Sequence, residues 1–158
     1  MRYNVPLIPQ TTKMSCWAAS IAMILAWRDN ASGDPKLIAQ DVGGKNYMPS
    51  YTGGLNANDT YILKRYGFNV MAPQCFQVSA IAHLLTANGP LWIASWAPGP
   101  HIRVVTGLIG NTVYINDPSP VNIGSRYSLS FNGFFGAMEN LGARELAEPA
   151  PVYAAYLN

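Results

Sequence analysis

The apolar and polar positions of the chain follow two regimes. From Cys16 to Trp27 nearly every residue is apolar, with Ala, Ile, Met and Leu on almost every face of a helical period. A helix that is apolar all round is a buried one. Residues 16–28 are therefore expected to form a central buried helix, with Ser15 as N-cap. Three more helices are read from their punctuation. Asp34-Pro35 is a cap followed by proline at the first helical position, and Gly43-Gly44 ends that helix. Residues 57–66 are expected to run from an Asn56 or Asn58 cap to a stop at Gly67. Residues 77–88 are expected to end at Asn88-Gly89-Pro90.

After residue 90 the pattern changes to short runs rich in β-branched and aromatic residues, bounded by Gly, Pro, Asn or Ser. Leu91–Trp96, Ile102–Ile109, Thr112–Asn116, Tyr127–Phe131 and Val152–Leu157 read as strands. Gly110-Asn111 reads as a hairpin turn. Helices first and strands second predict an α+β fold with a cleft between the two halves, in one domain spanning 1–158.

Composition adds exclusions. The chain has 158 residues, 49% of them hydrophobic and 11% charged, which is a globular balance. The net charge of +2 comes with no basic run, so nucleic acid is not an expected partner. The longest apolar run is too short to span a bilayer, so no membrane insertion is expected. It also lacks the small-residue cleavage site of a signal peptide, since Arg28, Asp29 and Asn30 follow it. Two cysteines and two histidines are scattered singly, without metal-ligand spacing, so no metal and no cofactor are expected.

The candidate chemistry centres on Cys16. At a helix start, unpaired backbone N–H groups and the helix dipole favour a thiolate, the form a cysteine nucleophile uses. Gln10, six residues upstream, can return by a short loop and donate its amide to a developing oxyanion beside the Cys16 N–H. His101 opens one strand and Asp117 closes the next, so a hairpin at Gly110 brings them to the same end of the sheet. Register matters here. A plain two-residue loop at 110–111 would pair Asp117 with Val104, on the face opposite His101. A three-residue loop, or a bulge, would pair Asp117 with Arg103 and set it diagonal to His101 on one face. A working site requires the second arrangement.

The segment Gln10-Thr-Thr-Lys-Met-Ser-Cys16-Trp17 resembles the papain-superfamily motif, in which Gln precedes Ser-Cys-Trp by six positions. His101, followed sixteen residues later by Asp117-Pro118, resembles its second half. An Asp at this position is similar to the bacterial members: staphopain-like proteases, plant-pathogen effector proteases and the peptidase domains of bacteriocin exporters. Papain itself carries Asn there. The resemblance implies a papain-like fold, with a helical half carrying the Cys, an antiparallel sheet carrying His and Asp, and a cleft between. It implies Cys16 as nucleophile, His101 as base and acid, Asp117 as orienter and Gln10 as oxyanion donor.

Other residues are read more plainly. Gly53-Gly54 resembles the glycine pair that binds substrate backbone as an extra strand, with an ordinary turn as the equal alternative. Trp96 either roofs the Cys–His pair or fills the sheet. His83 is expected to be structural, Cys75 a core thiol and Trp17 core. The expected activity is amide hydrolysis through a thioester acyl-enzyme, with a protein or peptide as substrate. The alternatives are a peptidoglycan stem-peptide amidase, a side-chain deamidase, and a catalytically silent peptide-binding domain. The likeness suggests a bacterial effector or toxin domain, with room for an immunity or inhibitor protein as partner. Cys16 lies so near Met1 that no inhibitory propeptide is expected. Release from the bacterium is expected without a signal peptide, or as a domain of a larger secreted protein.

Overall fold

The computed structural model describes residues 1–31, 33–43, 61–95, 101–140 and 152–157. Helix α1 (Cys16–Asp29) is the buried helix that its composition requires, with ten of its residues from Cys16 to Ala26 buried. It ends where Asn30 turns left-handed (φ 48°) and returns its N–H to the Ala26 carbonyl. Helix α2 (Pro35–Gly43) starts as its sequence dictates, with the Lys36 N–H donating to Asp34 Oδ1 at 2.8 Å. Helix α3 (Tyr61–Arg65) stops at Gly67 (φ 83°), and α4 (Val78–Asn88) stops at Gly89 (φ 82°). Among the described residues no helix is long and apolar enough to cross a membrane.

Six strands form one antiparallel sheet: β1 (Phe68–Val70), β2 (Leu91–Ser95), β3 (His101–Ile109), β4 (Thr112–Asp117), β5 (Ser125–Ser130) and β6 (Tyr153–Leu157), in spatial order β1-β6-β2-β3-β4-β5. Alternation along the strands sorts side chains between two cores. Trp92, Ile102, Val104, Ala155 and Leu157 join α1 on one face. Leu91, Ile93, Val105, Val113, Ile115 and Ala154 join α4 on the other. That second core includes Phe131, Phe134 and Phe135 from a helical stretch over 131–140, whose Asn132–Gly136 portion is π-helical. Neither β1 nor this stretch is marked by the sequence pattern. β1 has only three residues, and the π-helical turn breaks the periodicity.

The β3–β4 hairpin settles the register question. Its loop has two residues, since Ile109 pairs with Thr112, and only the first, Gly110 (φ 57°), takes a positive φ. The register then shifts between Val105 and Gly107, so Val105 pairs with Ile115 and Val104 with Asn116. One step further, Asp117 stands opposite Arg103. A tight turn and a bulge thus coexist, and the bulge turns Asp117 onto the His101 face. The N-terminal segment lies along β3 at this place. Arg2 bridges to Gly107, Tyr3 N–H donates to the Thr106 carbonyl at 2.8 Å, and Met1 and Leu108 exchange bonds at 2.8 and 2.9 Å. A Cβ on Gly107 would lie 2.6 Å from Arg2 Cα, so this close approach requires glycine.

Candidate active site

Ser15 occupies the N-cap position of α1, but its hydroxyl makes no cap bond. It faces back into the preceding loop, accepting from the Thr11 and Thr12 N–H groups at 3.2 and 3.0 Å and donating to the Thr12 carbonyl at 3.2 Å. The loop is therefore folded against the start of α1, and Cys16 sits in the first helical position, buried. The first N–H groups of a helix have no partner within the helix, so the thiol stands in the field of a helix start.

His101 begins β3 and Asp117 ends β4. His101 Nε2 and Asp117 Oδ1 are 2.7 Å apart, with side chains 20% and 9% exposed. The Cys16 thiol lies near enough to the His101 ring to help raise its pKa. With Nε2 committed to Asp117, Nδ1 is the nitrogen left for the thiol. Cys16 at the helix start and Asp117 at the sheet end thus both act on the His101 ring. Burial pulls the His101 pKa down, but the hydrogen bonds to Asp117 and Cys16 and the Asp117 charge outweigh it, and the value is raised. Burial alone would raise the Asp117 pKa. The bond and charge of His101, the Ser119 N–H and the Arg103 charge overcome that and lower it to about 2.

Asp117 is held by more than the sequence indicated. Oδ1 accepts from His101 and from the Ser119 N–H at 2.9 Å. Oδ2 accepts from Arg103 Nε at 2.9 Å and from the Tyr127 hydroxyl at 3.0 Å. The signal for Arg103 was present in its spacing: it lies two residues from His101 on the same face. Tyr127 needed the β4–β5 register, in which Asp117 pairs with Ser125.

Gln10 lies in the same region, though its amide is otherwise engaged. Its N–H donates to the Pro118 carbonyl at 2.9 Å and its carbonyl accepts from Asn122 at 2.8 Å, which ties it to the loop after Asp117. Both Nε2 hydrogens go to loop carbonyls, Thr12 at 3.0 Å and Lys13 at 3.1 Å, and buried Oε1 has no partner. Two carbonyl acceptors at Nε2 fix this orientation of the amide. In this state Gln10 presents no free donor.

Two readings of isolated residues are corrected. Cys75 is exposed: Phe76 turns into the core, so its neighbour on the irregular segment turns out. Burial, then the charge and hydrogen bond of Glu139, raise the Cys75 pKa, which disfavours its thiolate. His83 is also exposed, because Ile81, Leu84 and Leu85 take the inner face of α4. Trp17 is fully buried, as expected, and its carbonyl accepts from Trp92 Nε1 at 3.4 Å. Cys16 and Cys75 form no disulfide. Gly53, Gly54 and Trp96 lie outside the described residues. Among the described residues no three His, Cys, Asp or Glu side chains group as metal ligands.

The fold resembles several known ones. The chain is similar to a double-glycine-motif protease from an AMS/PCAT transporter, solved in complex with the leader peptide. Identity is 22% and the TM-score 0.61, over 98% of this chain and 91% of that one. It is similar to the peptidase domain of Streptococcus ComA, a bifunctional ABC transporter of a quorum-sensing pathway, at 16% identity and TM-score 0.63, over 98% and 100%. A C39-like peptidase from Bacillus anthracis matches at 17% identity and TM-score 0.64, over 98% and 95%. These likenesses establish the fold. No curated protein sequence matches the chain. The family profile described as papain-like cysteine protease AvrRpt2 matches residues 1–139. The chain belongs to that family and is a papain-like cysteine protease.

Proposed function

We propose that the chain hydrolyses peptide bonds, with Cys16 as nucleophile, His101 as general base and acid, and Asp117 as orienter. The observation that carries this reading is the 2.7 Å contact of His101 Nε2 with Asp117 Oδ1, in a ring whose pKa the Cys16 thiol at the start of α1 also helps raise. In the acylation step the His101 ring takes the thiol proton and sulfur attacks the carbonyl carbon. The carbonyl π electrons move to oxygen, which the Cys16 N–H at the helix start receives. Collapse expels the amine, which takes the proton from His101, and leaves a thioester. Water, deprotonated by His101, attacks the thioester, and the thiol regains its proton. Asp117 stays ionised throughout and stabilises the imidazolium. Gln10 joins as second oxyanion donor by giving up its bond to Thr12 or Lys13. Catalytic hydrogen bonds commonly form fully only in the substrate complex.

A peptide substrate is favoured because one similar fold is a protease in complex with a leader peptide. We place the chain as a bacterial effector or toxin domain that is secreted or delivered from the bacterium. Asp117, at the position where the sequence resembles the bacterial members including plant-pathogen effector proteases, supports this placement. An immunity or inhibitor protein as partner belongs to the same reading. The test is incubation with denatured casein and, separately, with purified peptidoglycan, using Cys16→Ala as control. Casein fragments that the variant does not produce are expected. Release of cell-wall fragments alone would replace the protease reading with an amidase, and cleavage of neither would leave a peptide-binding domain.

A further inference from the structure

We propose that Arg103 and Tyr127 are positioning residues of this enzyme: they lock the plane of the Asp117 carboxylate so that Oδ1 stays aimed at His101 Nε2. The inference rests on the triad reading above. A carboxylate offers about four lone-pair directions, two on each oxygen, and accepts only. At Asp117 all four are used: His101 and the Ser119 N–H on Oδ1, Arg103 Nε and the Tyr127 hydroxyl on Oδ2. Rotation about Cβ–Cγ moves the two oxygens together, so a donor on Oδ2 resists the same swing that would carry Oδ1 away from His101. Both Oδ2 donors are side chains from flanking strands.

The two donors are themselves held. Arg103 lies directly across from Asp117 because of the bulge, and its side chain is 16% exposed. Its guanidinium lies over the buried Phe134 ring, 5.9 Å from the centroid. The π-helical turn thus supports the arginine from beneath. Tyr127 stands diagonal to Asp117 on β5 and is half-buried. Burial, together with the Asp117 charge and hydrogen bond, pushes its pKa up to about 12 against the opposing pull of Arg103. The hydroxyl therefore remains a donor throughout the neutral and mildly alkaline range. Because Oδ2 faces away from His101, neither residue touches the reacting atoms.

The test uses the full chain with Tyr127→Phe and Arg103→Met, and Asp117→Ala as control. Hydrolysis of fluorescein-labelled casein is measured beside the downfield proton resonance of the His101 Nε2–H. Each variant is expected to lose on the order of tenfold in rate, the worth of one hydrogen bond to a charged group. Each is also expected to shift the Nε2–H resonance upfield or broaden it, which loss of stability alone would not do. Tyr127→Phe removes one oxygen atom and decides the matter if Arg103→Met fails to fold. Folded variants with wild-type rate and an unmoved resonance, beside an inactive Asp117→Ala, would overturn the inference and leave the triad standing. Wild-type rate in Asp117→Ala would instead overturn the triad reading, and the inference with it.

Discussion

Replacing Asp117 by Asn is a demanding perturbation, because both carboxylate oxygens are fully engaged. In one amide orientation the carbonyl still accepts from His101 and Ser119. The NH₂ group then faces Arg103 Nε–H and the Tyr127 hydroxyl. Tyr127 can rotate to accept, but a guanidinium cannot. In the other orientation the NH₂ meets the Ser119 N–H, and His101 must move its proton to Nδ1, where the ring no longer serves Cys16 as a base. Removing one partner of a fully buried ion pair costs about 3–5 kcal/mol. With Arg103 16% exposed, solvent screens the pair and a cost below that range, about 2 kcal/mol, is expected. An Asp117 pKa lowered from 3.8 to about 2 corresponds to about 2 kcal/mol as well, so the two routes agree. Activity should fall between about a hundredfold and ten-thousandfold, from the loss of assisted proton transfer to the loss of the working tautomer. Asp117→Ala, with no acceptor at all, should fall further. The carboxylate raises the His101 pKa, so without its charge the imidazolium is lost at lower pH. The alkaline limb of kcat/KM on labelled casein should therefore move down in pH. A lowered melting temperature with an unmoved limb and unchanged rate per folded molecule would refute the reasoning and make Asp117 a structural residue.

Three further outcomes are expected. Gln10→Ala should lower turnover about a hundredfold if Gln10 donates to the oxyanion; an unchanged turnover with a lower melting temperature would make it only a tie for the loop at Thr12 and Lys13. His101→Ala should abolish casein hydrolysis, whereas His83→Ala, on the exposed face of α4, should leave activity intact and stability within about 0.5 kcal/mol; loss of activity in the second would reassign the histidine. The folded-state pKa of Asp117 is depressed, so its stabilisation, about 2 kcal/mol, is present above pH 4 or so and is lost as pH falls towards 2. Denaturant unfolding should show the gap between wild type and Asp117→Ala narrowing over that window, and a constant gap would contradict the assignment.

Much of this site could be read from the chain because its parts lie at element ends. A solidly apolar stretch fixes α1 and so places Cys16 at its start. The turn at Gly110 fixes β3 and β4, and so brings His101 and Asp117 together. What the sequence could not decide was how Asp117 came to the right face. The turn is of the short kind, and the bulge that corrects the register forms where Met1–Tyr3 packs along β3, a contact across more than a hundred residues. Cys75 and His83 were misread because the exposure of a single residue depends on which neighbour turns inward, here Phe76 and the Ile81, Leu84, Leu85 face. The hold of Tyr127 on Asp117 is likewise a tertiary fact with no local signature, whereas Arg103 was signalled by its spacing from His101 and the Gln10 amide is taken up locally, by Thr12 and Lys13.

The central claim is that Cys16, activated by His101, is the nucleophile. Its most direct test is brief exposure to a cysteine-directed peptidyl epoxide at neutral pH, with the modified residue located by peptide mass mapping. The chain carries two free thiols, a buried one beside a histidine and an exposed one beside Glu139 whose thiolate is disfavoured. Accessibility alone would favour Cys75. The account predicts one adduct, on Cys16, formed far more slowly in His101→Ala. Faster labelling of Cys75, or labelling of Cys16 at the same rate without His101, would contradict it.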